Sequence, residues 1–106
     1  SGHGSRQFDS SPIPIHQIPK IRESINKSTV LIYDTGIRNG EDILKALCLG
    51  ADFVMIGKYA LFSIAAEGFD GLVQMANNLK KEIEIAMAQM GTFDINKLNS
   101  KYLDDF

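Results

Sequence analysis

Several residue types are scarce in this sequence, and each scarcity excludes a class of protein. A single cysteine and no tryptophan occur, so no disulfide can form within the chain. Apolar runs are short, well below the ~20 consecutive residues that a membrane-spanning helix needs. The first residues also lack the apolar segment of a signal peptide. We therefore expect a location in the cytoplasm or at the periphery of a membrane.

Excess positive charge is absent as well. Eleven Lys and Arg stand against thirteen Asp and Glu, which gives a formal net charge of -2. Nucleic-acid-binding domains carry clustered basic residues, and no such block occurs here. We expect no nucleic-acid partner, and an anionic ligand would have to be held by a few well-placed cations.

The composition that remains is that of one small globular unit. With 44% hydrophobic and 23% charged residues, 106 residues can form a single apolar core. Cys48 lies in the apolar run KALCLGA, where we expect a buried core residue. All three prolines fall between residues 12 and 19, and apolar residues at helical spacing predict a helix from about His16 to Ile25.

Two short apolar runs predict a pair of strands. Residues 29–34 and 52–57 show no polar alternation, which is typical of strands that are buried on both faces. Between them, residues 41–49 predict a helix that Asn39 caps and Gly50 ends. A strand, a short helix and a second strand form a βαβ unit, so the fold class is α/β and the two strands should be parallel.

The rest of the sequence is predicted to be helical. A short helix follows Gly57 and ends at Gly68, and a long amphipathic helix ends at Gly91. In the tail, Asp94 and Ser100 are candidate caps of brief helical turns. Two parallel strands cannot cover their own edges and faces, so we expect this chain to be a piece of a larger α/β assembly.

Glycine and a cation follow each predicted strand. Gly36 and Arg38 come after the first, and Gly57 and Lys58 after the second. Glycine allows a backbone N–H to approach an anion, and a cation at a helix start adds positive potential. In (β/α)8 barrels the common phosphate site follows strands seven and eight. The plain alternative is that the glycines only form turns, but the repetition at both strand ends favours a phosphate site.

The opening segment SGHGSRQFDSS is polar and rich in glycine and serine. Its His3 could act as a general base, and its Arg6 could bind a carboxylate. A histidine in such a loop is more often simply exposed to solvent, and the residues by themselves leave both interpretations open. His16 has no charged neighbour in sequence and is not assigned a role.

Two motifs carry a resemblance to a known family. SGHGSRQFD resembles the S-N-H-G-G-R-Q-L-D segment of the FMN-dependent 2-hydroxy-acid oxidases and dehydrogenases. YDTGIRNGEDILKALCLGADFVMIGK resembles their block D-G-G-x-R-x-G-x-D-x-x-K-A-L-A-L-G-A followed by G-R. INKLNSKYL is similar to the mandelate and lactate dehydrogenase branch. The resemblance covers essentially the whole chain, and its first motif is highly specific.

The resemblance implies a fold and a site. Residues 1–106 would be the C-terminal part of a single (β/α)8 TIM barrel: the loop after strand six, strands seven and eight with their helices, and the C-terminal helices. His3 would be the catalytic base, Arg6 would bind the substrate carboxylate, and no metal is implied. The positions matching the FMN-binding residues are Asp34, Thr35, Gly36, Ile37, Arg38, Gly57 and Lys58.

The resemblance also implies an activity, the oxidation of a lactate-like L-2-hydroxy acid to the 2-oxo acid with FMN as electron acceptor. Other active-site residues of the family belong to earlier strands, so this chain by itself would be inactive. Its partner would be the rest of the barrel or a second copy of the chain. Attachment to an inner membrane would come only from an upstream segment.

Departures from the family pattern leave other interpretations open. The family usually has Asn where Gly2 stands, Gly where Ser5 stands and Arg where Lys58 stands. One alternative is another phosphate-binding barrel, similar to IMP dehydrogenase or to the flavin-dependent isopentenyl diphosphate isomerase. A second alternative is a noncatalytic half-barrel that assembles with a partner chain. The particular 2-hydroxy acid and the final electron acceptor do not follow from the sequence.

Overall fold

The computed structural model describes residues 1–104, which form a small α/β unit. Two strands and three α-helices are present in this part of the chain: α1 Ile18–Ser24, β1 Ile32–Asp34, α2 Gly40–Cys48, β2 Phe53–Met55 and α3 Lys58–Met90. Short 3-10 turns occur at His3–Ser5, Pro14–Gln17, Ile95–Lys97 and Ser100–Tyr102. Within residues 1–104, no helix combines the length and apolar character needed to cross a membrane.

The predicted βαβ unit is confirmed. Strands β1 and β2 pair in parallel, with Tyr33 opposite Val54, and α2 forms the crossover between them. Each strand is three residues long, shorter than the predicted runs 29–34 and 52–57. The apolar runs also include residues just before and after the paired ones, because hydrophobicity does not mark where a strand begins or ends.

The helix starts follow local chemistry. Helix α1 begins at Ile18 rather than near His16, because a 3-10 turn over Pro14–Gln17 comes first. Helix α2 is capped as predicted, since the Asn39 side chain accepts a hydrogen bond from the Asp42 N–H at 2.8 Å. Acidic side chains in its first turn favour the positive end of the helix dipole.

The two helices predicted after Gly57 are confirmed: they are the two parts of α3, and a kink separates them. Inside α3, Glu67 and Gly68 leave helical geometry, and Gly68 has φ +58°. Gly91 ends the helix in the left-handed conformation at φ 74°. The Asp94 cap in the tail is confirmed. The prediction for Ser100 was wrong, because Asn99 precedes it and accepts the Lys101 N–H instead.

The core lies on one side of the sheet. Its buried members are Ile18, Ile37, Ile43, Ala46, Ala51 and Leu79. Cys48 is 4% exposed, as expected of a core residue, and burial raises the pKa of its thiol. Helix α2 packs against α3 and against β2, so the helices cover only the side of the sheet where Tyr33 and Val54 contact the core.

The other side of the sheet is open. Ile32, Phe53 and Met55 are 51%, 61% and 56% exposed, so the prediction of strands buried on both faces was wrong for the described residues. A two-stranded sheet with helices on one side leaves its alternate side chains uncovered. These three residues are large and apolar, and such side chains in a parallel sheet normally contact further protein.

Arg22 joins the start of both strands. Its guanidinium donates to the Asp52 carboxylate at 3.0 Å and to the carbonyls of Asn26 and Thr29 at 3.0 and 2.8 Å. The same carboxylate oxygen of Asp52 accepts the Leu31 N–H at 2.7 Å. This end of the sheet is therefore fixed by one cation that binds both the turn of residues 26–29 and Asp52.

Replacing Arg22 with alanine should lower the free energy of unfolding by about 1.5 kcal/mol, because three charge-assisted hydrogen bonds are lost at a partly exposed site. Urea denaturation followed by circular dichroism measures the change. Lys20→Ala on the same helix, at an exposed position, is the matched control and should change the midpoint little. Equal effects of the two substitutions would show that the network does not stabilise the chain.

Candidate active site

All nine sequence-predicted site residues line one cavity of about 500 Å³. Its lining consists of His3, Arg6, Asp34, Thr35, Gly36, Ile37, Arg38, Met55, Gly57, Lys58 and Leu61. The cavity lies where β1 and β2 end, and the opening segment forms its third side. Three stretches that are distant in sequence therefore meet at the end of the sheet where α/β proteins bind ligands.

The loop after β1 is fixed by one apolar side chain. Ile37 is 6% exposed and belongs to the core, whereas Arg38 next to it is exposed. Gly36 has φ +70°, and a Cβ atom placed there would meet nothing within 4 Å. Burial of Ile37 thus holds a short stretch of backbone at the cavity wall, with glycine beside it leaving that backbone accessible.

Thr35 has an unusual backbone conformation, with φ 144°. Residues with a side chain rarely adopt this conformation, and strained backbone of this kind is often found at ligand sites. The resemblance noted above places glycine here in most of the family.

The N-terminus of α3 faces the cavity without a side-chain cap. Gly57 is its N-cap residue, no side chain accepts a hydrogen bond there, and a Cβ at Gly57 would meet no atom within 4 Å. By contrast, the start of α2 is satisfied by side chains, because Arg38 N–H donates to Asp42 at 3.0 Å and Gly40 N–H to Glu82 at 2.6 Å. An anion in the cavity would therefore meet the open end of α3.

The opening segment forms a tight turn at the cavity. The Ser5 N–H donates to the Gly2 carbonyl at 2.7 Å, and both His3 and Ser5 have positive φ, 46° and 58°. A Cβ at Gly2 would lie 2.7 Å from Pro14 Cγ. The departure from asparagine at Gly2 is thus accommodated here by close packing of Pro14.

The cavity carries a net positive charge. Arg6, Arg38 and Lys58 are exposed cations on its wall, and Asp34 is the carboxylate among its lining residues. Burial is the main cause that raises the pKa of the neighbouring Tyr33, and the negative charges of Asp42 and Asp34 add to it. Cations of this number and position suit a ligand with two anionic groups.

Sequence reasoning missed two of the lining residues and one supporting residue. Met55 and Leu61 contribute the apolar part of the wall, and neither carries a chemical signal that marks it in the sequence. Glu82, which binds the Gly40 N–H, lies 42 residues away along the chain. Only folding brings it to the loop after β1.

A larger cavity of about 740 Å³ lies elsewhere, between α2, α3 and the tail. Lys45, Cys48 and Tyr102 are among its lining residues, and none of the nine predicted site residues is. Across residues 1–104, no group of three or more His, Cys, Asp and Glu side chains is arranged to hold a metal ion.

Comparisons with known proteins agree on one family. The profile of the FMN-dependent dehydrogenases matches residues 1–105. A 2-hydroxyacid oxidase of Dictyostelium discoideum is 38% identical over 105 residues, which cover 99% of this chain. An L-lactate oxidase of Lacticaseibacillus rhamnosus is 42% identical over 91 residues, 86% of this chain and 25% of that protein.

A solved structure supports the same assignment. A soluble mutant of the membrane-associated (S)-mandelate dehydrogenase of Pseudomonas putida superposes with a TM-score of 0.91 at 35% identity, over 100% of this chain. The chain spans 30% of that structure and 27% of the Dictyostelium protein. Because the match extends over nearly every residue of the chain, the chain belongs to the family of FMN-dependent dehydrogenases.

Proposed function

We propose that this chain forms part of an FMN-dependent enzyme that oxidises an L-2-hydroxy acid, such as lactate, to the corresponding 2-oxo acid. The observation that carries the proposal is the meeting of all nine predicted site residues around one cationic cavity. The relatives reported above are named for 2-hydroxyacids, L-lactate and (S)-mandelate. No comparison favours the nucleotide-enzyme alternative or a noncatalytic half-barrel.

The residues present fit the phosphate end of FMN. Gly36 and Gly57 leave open space where a side chain would otherwise stand, and the first-turn N–H groups of α3 lack a side-chain cap. Arg38 and Lys58 supply positive charge beside them. Asp34, Thr35 and Ile37 complete this wall through the loop after β1. When bound, FMN would accept the two electrons that leave the substrate.

The opening segment would act on the substrate. Arg6 would bind its carboxylate through two parallel hydrogen bonds, which fixes the hydroxyl-bearing carbon in one orientation. His3 would take up a proton from the substrate as the electrons leave, since imidazole accepts and releases protons near neutral pH. Both side chains are exposed at the cavity mouth, where a small acid can reach them.

The open side of the sheet supports a barrel that other residues complete. Residues 1–106 would supply the loop after strand six, strands seven and eight, and the helices that follow them. Ile32, Phe53 and Met55 would then face the packed interior of a (β/α)8 barrel. The partner would be the remaining part of the barrel or another copy of this chain, and the location would be cytoplasmic.

Lysine at position 58 should hold the phosphate less well than arginine would, because its ammonium lacks the guanidinium's two parallel donors. We expect Lys58→Arg to tighten FMN binding by about 1 kcal/mol, which is about fivefold in Kd. A fluorescence titration of FMN measures it. Lys45→Arg, outside the cavity, is the control, and the account is contradicted if both variants change Kd alike.

The activity can be tested by grafting. The matching segment of the Dictyostelium 2-hydroxyacid oxidase is replaced by this chain, and flavin content and turnover of L-lactate, glycolate and mandelate are measured. We expect a flavin-containing protein that oxidises at least one of these acids. A graft that is folded and holds flavin, yet oxidises no 2-hydroxy acid, would contradict the proposal.

A further inference from the structure

We propose that Glu82 is a positioning residue that holds the phosphate-binding loop of the cavity from a distance; this inference rests on the function proposed above. Its carboxylate accepts a hydrogen bond from the Gly40 N–H at 2.6 Å. Gly40 is the first residue of α2, and Gly36 and Arg38 on the cavity wall are two to four residues away. Glu82 itself does not line that cavity.

The hydrogen bond between Gly40 and Glu82 joins residues much farther apart in sequence than the other hydrogen bonds of this loop do. Arg38 N–H donates to Asp42, and Asp42 N–H donates to Asn39, so both of these bonds close within four residues. They fix the shape of the loop but do not fix its place on the rest of the protein. The bond to Glu82 joins residues 42 apart and ties the loop to α3.

The backbones of α2 and α3 also pack closely where Gly40 meets Glu82. A Cβ on Gly40 would lie 2.6 Å from Glu82 Cβ and 2.8 Å from the Ile83 nitrogen. Helix α2 therefore starts directly against the backbone of α3, in the part of α3 that follows the kink at Glu67 and Gly68. Glu82 thus fixes the start of α2, and with it the loop after β1, to this part of α3, and its charge makes the bond stronger than a neutral one.

The experiment compares FMN with riboflavin, which lacks the phosphate. Fluorescence titration gives the ratio of the two affinities for the flavin-free grafted oxidase that carries this chain and for its variants Glu82→Ala, Glu82→Gln and Glu84→Ala. Glu84 is exposed on the same helix and is the matched control. We expect Glu82→Ala to reduce the preference for FMN about tenfold, and Glu82→Gln, which keeps an acceptor oxygen, to retain most of it.

A general loss of stability would weaken both flavins alike, so an unchanged ratio in Glu82→Ala would overturn the inference while leaving the proposed function standing. Amide hydrogen exchange of residues 36–40 is measured on the same samples without flavin. We expect about tenfold faster exchange in Glu82→Ala than in Glu84→Ala. If the graft without a substitution shows no preference for FMN, the proposed phosphate site fails, and the exchange rates still decide whether Glu82 holds the loop.

Discussion

Replacing His3 with alanine should lower the turnover of a 2-hydroxy acid by about a thousandfold in the grafted enzyme, because a positioned general base contributes about 10²–10⁴ to the rate. FMN content should remain the same, since the residues proposed to hold the phosphate lie on other segments. Steady-state kinetics together with the visible absorbance of the flavin measure both quantities on one sample.

His16→Ala is the matched control for this substitution. His16 is exposed and lies outside the cavity, so its replacement should leave turnover within about twofold. A His3→Ala enzyme that keeps most of its turnover would remove the proposed base from the mechanism. Loss of flavin together with turnover would instead assign His3 to cofactor binding.

Gly40→Ala should lower the free energy of unfolding by about 2–3 kcal/mol, the cost of forcing a methyl group into packed backbone. The new Cβ would lie 2.8 Å from the Ile83 nitrogen, and the start of α2 would have to move away from α3. Urea denaturation of the chain measures this change, and the bond between Gly40 N–H and Glu82 should weaken at the same time.

Gly57→Ala provides the opposite pattern. No atom lies within 4 Å of a Cβ at Gly57, so its stability should change by no more than about 0.5 kcal/mol. The added methyl group would, however, occupy space at the open end of α3 and should weaken FMN binding. If Gly40→Ala lowers the free energy of unfolding no more than Gly57→Ala does, the contact between α2 and α3 is looser than described.

Local chemistry made much of this fold predictable. Asn39 and Asp94 were recognisable as caps, and glycine at 68 and 91 marked where helical geometry breaks or ends. The strand ends were less predictable, because the apolar runs continue past the three paired residues of each strand. At residue 99, asparagine took the capping role that serine at 100 had been assigned.

The candidate site also contains features that the sequence predicted and features that it could not predict. Glycine and cations at successive strand ends predicted one cavity, and the structure brings them together there. The open face around Phe53 agrees with the prediction that two parallel strands cannot cover their own faces, although hydrophobicity by itself could not show which face the helices leave uncovered. Glu82 could not be identified either, since its contact spans 42 residues.

The central claim is that this chain holds the phosphate of FMN within a complete barrel, and the most direct measurement is a titration of the flavin-free grafted enzyme with FMN and with riboflavin. The account predicts saturable binding of FMN and binding of riboflavin that is at least tenfold weaker, as about 1.4 kcal/mol of phosphate contacts would give. Equal affinity for the two flavins, or no binding of FMN, would contradict it.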